Sequence, residues 1–214
     1  MKNLLASLDD VLLLGPGPST IPPKVYEALG RRTLGHMDPQ FFALMDGIKE
    51  NLRLVMRTRN AATITISGTG TSGMEASLVN LIERDDPMLV VVNGYFAARL
   101  AEMAGRLGAV VDTAEFPWGK PVDPDEVGKR LAAKTYRLLG MVHAETSTGV
   151  KNPIREVGAL ARKAGALFIV DAVTSLGGLD IRVDEWGIDA LYSCSQKCIG
   201  CPSGLSPVTF SEGA

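Results

Sequence analysis

The chain has 214 residues, is 46% hydrophobic and 21% charged, and carries a formal charge of −2. That profile suits a globular protein long enough for one large domain or two small ones, and its mild acidity gives no electrostatic case for binding nucleic acid or a membrane surface. No apolar stretch reaches the roughly 18 residues that span a bilayer, Met1-Lys2-Asn3-Leu4-Leu5 lacks a long apolar signal region, and three cysteines confined between Cys194 and Cys201 do not resemble a disulfide framework, so a reducing, cytoplasmic setting is expected.

In chain order, residues 1–20 read as an extended arm ending in Gly15-Pro16-Gly17-Pro18-Ser19, because two prolines cannot continue a helix. Residues 21–214 show no linker or repeat and read as one domain. Pro23 to Leu29 opens a short helix with proline in its first turn. Gly35-His36-Met37-Asp38-Pro39 is a loop. Phe41, Leu44, Met45, Ile48, Leu52 and Val55 then recur at helical spacing. Strand-like runs follow at Ala62 to Ser67, Met88 to Asn93, Ala109 to Phe116, Arg137 to His143, Ala166 to Asp171 and Ala190 to Cys194, with Pro207 to Phe210 a further candidate. Helix-like runs lie between most of them, at Met74 to Glu83, Ala97 to Leu107, Pro124 to Ala133 and Ile154 to Ala164. Several strands are almost wholly apolar, as when helices cover both sheet faces. The alternation predicts an α/β three-layer sandwich with a largely parallel sheet.

Three features carry chemistry. Ser67-Gly68-Thr69-Gly70-Thr71-Ser72-Gly73 joins a strand to a helix and contains G-x-G-x-x-G. A dinucleotide site of that form wants an acidic residue at the end of the next strand, which here ends at Asn93-Gly94. A single phosphate needs no such residue: hydroxyls of Thr69, Thr71 and Ser72, backbone N–H groups and the helix dipole suffice. A merely structural glycine turn is the plain alternative. Asp171 closes an apolar strand, where a carboxylate is often a cap or turn residue but can also pair with a protonated ring nitrogen. Lys197 follows a strand among small residues; most lysines are solvated, but a semi-enclosed one can fall to a pKa of roughly 7–8 and act as a nucleophile and proton carrier. An amine, a strand-end carboxylate and a phosphate cup are together what pyridoxal phosphate requires.

Other features have plainer readings. Cys194, Cys198 and Cys201 have the C-x3-C-x2-C spacing of some iron–sulfur sites, but that motif opens a barrel and only 13 residues follow Cys201. Small, soft side chains lining a crowded loop are the simpler account. His36 and His143 are too few for a histidine metal site, and no metal is expected. Thr146, past a strand end, faces the crevice where such sheets bind ligands. Tyr95-Phe96 either stacks on a planar cofactor or plugs the core.

These strings resemble the alanine–glyoxylate and serine–glyoxylate (serine–pyruvate) aminotransferases, a branch of the class-V, fold-type I pyridoxal-phosphate enzymes. The resemblance runs from about Leu13 to Phe210, through Gly15 to Ser19, Gly35 to Pro39, Ser67 to Thr71, Asn93 to Phe96, His143 to Gly149, Val170 to Gly178 and Ser193 to Lys197. It implies that Lys197 carries the cofactor as a Schiff base, that Asp171 binds the pyridine nitrogen, and that Thr146 bonds the ring hydroxyl. It further implies that Thr69, Gly70, Thr71 and Gln196 hold the phosphate, with Phe96 and Val173 on the two ring faces. The arm from Gly15 to Pro18 would approach the substrate and a dimer partner. The implied reaction moves an amino group from alanine or serine to glyoxylate or pyruvate. Another class-V lyase or desulfurase, and a non-catalytic module of the same fold, are the alternatives. In that family a smaller C-terminal domain supplies the arginine for the substrate carboxylate, so both are expected to lie beyond Ala214.

Overall fold

The apolar runs of the central chain become the middle of a seven-stranded sheet in the computed structural model, which describes residues 7–9 and 11–214. The leader reading of residues 1–5 and the beginning of the expected arm lie outside the described residues. In chain order the elements are α1 (Pro23–Leu29), α2 (Pro39–Met56), β1 (Ala62–Ser67), α3 (Gly70–Leu81), β2 (Pro87–Val92), α4 (Tyr95–Arg106), β3 (Val110–Glu115) and α5 (Pro124–Ala133). Then come β4 (Leu138–Val142), β5 (Ala144–Glu145), β6 (Val150–Lys151), α6 (Ile154–Ala164), β7 (Leu167–Asp171), α7 (Val183–Trp186), β8 (Ala190–Tyr192) and β9 (Leu205–Phe210).

The sheet runs β3-β2-β4-β7-β8-β9-β1. Its pairs from β3 to β8 are all parallel. β9 lies antiparallel to both β8 and β1, so the sheet is mixed at one end. Side chains alternate across the sheet. Leu89, Val91, Leu139, Met141, Phe168 and Val170 pack beneath α5 and α6. Met88, Val90, Val92, Leu138 and Ile169 pack beneath α3 and α4. Two helix layers thus enclose the sheet, as the run of apolar strands predicts. Truncating a fully buried anchor such as Phe168 to alanine is expected to cost about 3–5 kcal/mol.

Local chemistry explains the element ends. Asp38 and Asp123 cap α2 and α5 by accepting from the N–H groups of Gln40 and Asp125, each ahead of a proline at the first helical turn. Gly165, at φ 72°, stops α6. α3 begins at Gly70, four residues before the periodic run from Met74, because extended Thr69 accepts from Ser72 and Gly73 and draws the glycine turn into the first helical turn. A short β5–β6 hairpin stands between β4 and α6. The parallel strands bring their carboxyl ends, at Asn93, His143, Asp171 and Ser193, to one edge of the sheet, where a crevice forms.

Candidate active site

Asp171 is the last residue of β7 and is buried. One carboxylate oxygen accepts from the Val173 N–H at 2.8 Å, the other from the Tyr192 hydroxyl at 2.8 Å. Burial pushes its carboxyl up to about 6, against the pull of those two donors, and the Glu145 carboxylate adds to the rise. The Tyr192 phenol is raised well above its usual range by burial and by Asp171.

Lys197 sits in the loop between β8 and β9. That loop is tied at its base, where Ser193 and Ser195 donate to Pro207 and Leu205. The ammonium of Lys197 donates to the Pro16 carbonyl at 2.8 Å and the Gly17 carbonyl at 3.4 Å. The same arm reaches the main chain: the Ser19 N–H donates to the Gln196 carbonyl, and the Ser19 hydroxyl to that of Lys197 at 2.7 Å. Gly17 is required here. Its φ is +112°, and a Cβ would stand 2.2 Å from Lys197 Cδ.

The glycine turn is anchored by Gly68 donating to the Gly204 carbonyl. Thr69 makes no side-chain cap bond to α3; the Ser72 and Gly73 N–H groups turn back to its carbonyl, and those of Gly70 and Thr71 are left open to an anion. A methyl at Gly70 would press on Val173 Cγ2 at 3.1 Å and Cys194 Cβ at 3.2 Å. The absent side chain therefore keeps the cup floor low.

Phe96 lies in the first turn of α4, edge-on to Tyr95 with ring centroids 5.3 Å apart. Thr146 lies in the β5–β6 turn. Sequence reasoning passes over the residue that joins them, Glu145, which is 1% exposed. Its carboxylate accepts from the N–H groups of Ala97 (3.1 Å), Phe96 (3.4 Å) and Ser147 (3.1 Å) and from the Ser147 hydroxyl (2.8 Å). It caps α4 and holds the Thr146 turn against it. A Cβ at Gly94 would lie 2.2 Å from Glu145 Cγ, so that glycine lets the carboxylate approach.

All nine residues expected to touch a cofactor line one cavity of about 180 Å³: Thr69, Gly70, Thr71, Phe96, Thr146, Asp171, Val173, Gln196 and Lys197. Met74, Arg99 and Cys194 complete its wall. Burial raises the Cys194 thiol. A second cavity of about 340 Å³ adjoins through Thr146 and Lys197; Gly15, Pro16, Gly17, Thr174 and Cys198 line it as well. His143 is on neither wall. It is buried, its Nδ1 lies 3.0 Å from the Ser175 hydroxyl, and burial, aided by Lys151, lowers it to about 4, so it is neutral at physiological pH.

The donor set fits pyridoxal phosphate. The buried Gln196 side-chain oxygen has no hydrogen-bond partner, and its carboxamide can turn two donors toward an anion at the cup. The same cavity is lined by a carboxylate able to accept from a pyridinium, Asp171, and by a primary amine, Lys197.

A family model described as aminotransferase class-V matches residues 12–214. An alanine–glyoxylate aminotransferase of Drosophila melanogaster is 41% identical over 94% of this chain and 52% of its own length. An (S)-ureidoglycine–glyoxylate transaminase of Bacillus subtilis is 38% identical over 94% of this chain and 48% of its own length. The solved alanine–glyoxylate aminotransferase of a Nostoc species is 47% identical, superposes with a TM-score of 0.92, and is matched over 99% of this chain and 58% of that one. The chain thus spans about half the length of the relatives it matches. A matching family model over nearly the whole chain, on a fold-type I scaffold whose crevice fits the group, makes it a member of the class-V aminotransferases, whose cofactor is pyridoxal phosphate.

Proposed function

We propose that residues 21–214 form the cofactor-binding domain of a transaminase that moves an amino group from alanine or serine to glyoxylate or pyruvate, with residues 1–20 as an arm over its substrate side. The observation that carries this reading is the convergence of Lys197, Asp171 and the α3 cup on one cavity. The activities for which the relatives are named, alanine–glyoxylate and ureidoglycine–glyoxylate transamination, support glyoxylate as acceptor.

When bound, pyridoxal phosphate supplies an electron sink for charge developing at the substrate Cα. The protein's part is positional and protonic. Asp171, fixed by Val173 and Tyr192, offers its carboxylate to the ring nitrogen. The Thr146 hydroxyl orients the ring hydroxyl, and Phe96 and Val173 hold the ring between them. Thr69, Gly70, Thr71 and Gln196 retain the phosphate. Lys197, once its Nζ is free, takes the Cα proton and holds it at that atom for return. The adjoining larger cavity, sharing Lys197 and Thr146, is the natural place for the substrate's own side chain.

The test is covalent trapping. With pyridoxal phosphate and borohydride, the wild type should yield a single reduced adduct, mapped by peptide mass to Lys197. Lys197→Ala should yield none and should lose pyruvate formation from alanine and glyoxylate. An adduct on another lysine in the variant sinks the assignment. Substituting serine for alanine in the same assay ranks the two donors.

We also propose a homodimer in the cytoplasm. Exposed Phe42, Leu44, Met45 and Ile48 give α2 an apolar face that a second copy would cover. The three cysteines are free, in keeping with a reducing compartment. No described helix is long and apolar enough to cross a membrane.

A further inference from the structure

Arg99 has no role in the reading above. It lies on α4 one turn beyond Phe96, on the same helix face, and lines the cofactor cavity with the α3 cup. It is half-buried, yet it makes no hydrogen bond or ion pair with any described residue. The chain's other partly enclosed arginine, Arg53, is bonded to Glu50 and to the carbonyls of Asn60 and Ala61. A guanidinium drawn from water without a carboxylate or carbonyl is unfavourable unless an anion arrives to meet it.

The cavity's charge balance says which anion. Its wall carries two cationic side chains, Lys197 and Arg99, and one acidic one, Asp171. On the pyridoxal-phosphate reading, on which this inference rests, Lys197 is committed to covalent attachment and Asp171 to the ring nitrogen. That leaves a phosphate of nearly two negative charges facing a helix terminus equivalent to about half a positive charge. Arg99 is the remaining fixed cation, and a guanidinium suits phosphate geometry better than an ammonium does.

We infer that Arg99 is a phosphate ligand of the cofactor, an ionic partner in this same chain for the hydroxyl and amide donors of the α3 cup. Its oxyanion is the cofactor's own phosphate rather than the substrate carboxylate.

The test compares pyridoxal phosphate with pyridoxal, which lacks the phosphate, in equilibrium binding to wild type, Arg99→Gln and Arg99→Lys. Circular dichroism and thermal melting of the cofactor-free proteins establish that each variant is folded. The expected result is that Arg99→Gln binds pyridoxal phosphate roughly 10- to 100-fold more weakly, the range for a charged hydrogen bond, while pyridoxal affinity changes less than twofold. Arg99→Lys should recover part of the loss. Inorganic phosphate should compete with the cofactor more weakly in Arg99→Gln than in wild type. The inference is overturned if Arg99→Gln holds both ligands as wild type does. Equal weakening of the two overturns it as well, since that marks a packing role. Unchanged cofactor binding with weakened uptake of alanine or glyoxylate would move Arg99 to the substrate carboxylate and also defeat it. A wild type that binds neither ligand refutes the cofactor reading itself, and this inference falls with it.

Discussion

Two long helices carry the same kind of apolar stripe and meet different fates. α6 buries Ile154, Val157, Gly158 and Ala161 against the sheet in 11 residues. α2 buries only Met56 in 18, and leaves Phe42, Leu44, Met45 and Ile48 between 36% and 53% exposed. Periodicity reports that a helix has a face to hide; it does not report which chain does the hiding. In α6 the face is satisfied internally. In the amino-terminal segment it is left for something else, which is the ground for proposing a second copy there.

The comparison breaks first at that face. Leu44→Glu with Ile48→Glu places two charges on it and is expected to convert a dimer to monomer in sedimentation equilibrium, with little change in the monomer's melting beyond that caused by dissociation. If assembly is unaffected, another part of the full-length protein covers the stripe.

Two helical glycines sharpen the contrast. At Gly73 of α3 a Cβ would stand 1.9 Å from the hydroxyl of buried Ser206, which donates to the Ser193 carbonyl. Gly73→Ala should therefore cost roughly 1–3 kcal/mol in chemical denaturation, through overpacking and a disturbed buried hydrogen bond. At Gly47 of α2 nothing lies within 4 Å of the same atom. Gly47→Ala should stabilise by about 0.4–1 kcal/mol. A destabilising Gly47→Ala that also weakens self-association would put that glycine inside the interface.

Acid stability gives a subtler test. Asp171 is raised from 3.8 to about 6, so between those values the folded protein binds the extra proton and stability falls as pH rises. His143 is lowered from 6.5 to about 4, so in that window the unfolded chain binds the extra proton and stability rises with pH. In the cofactor-free protein these slopes oppose each other between about pH 4 and 6. Asp171→Asn should unmask a rising slope and His143→Gln a falling one, read as denaturation midpoints across that range. Parallel slopes in the two variants would show that one of these groups is not buried as described.

Much of this architecture is legible in the amino-acid sequence. Long apolar runs between periodic segments mark the central strands and their covering helices, and the strand-end carboxylate Asp171 and Lys197 among small residues are singled out in the sequence and meet on one cavity in the fold. What stayed hidden has physical reasons. Two-residue β5 and β6 and four-residue α7 are too short to display a period. The reversed direction of β9 leaves no trace in its own residues, since strand orientation is set by what lies beside it. Glu145 reads as a loop acid because the helix it caps, α4, supplies its donors from nearly fifty residues earlier. Arg99 is one of many arginines until the fold sets it on the wall of the cavity.

The position of β9 has a consequence for how this molecule is made. Among the described residues β1 pairs only with β9, so Ala62 finds its partner at Phe210 and Ser67 at Leu205. The strand that leads into the glycine turn takes its partner from beyond the lysine loop, and closing so long a loop before any contact rewards it slows folding. During synthesis the glycine turn is therefore expected to take its final form only after the lysine loop has left the ribosome. An amino-terminal nascent chain, though it contains the whole glycine turn, should acquire cofactor affinity abruptly once residues 205–210 emerge.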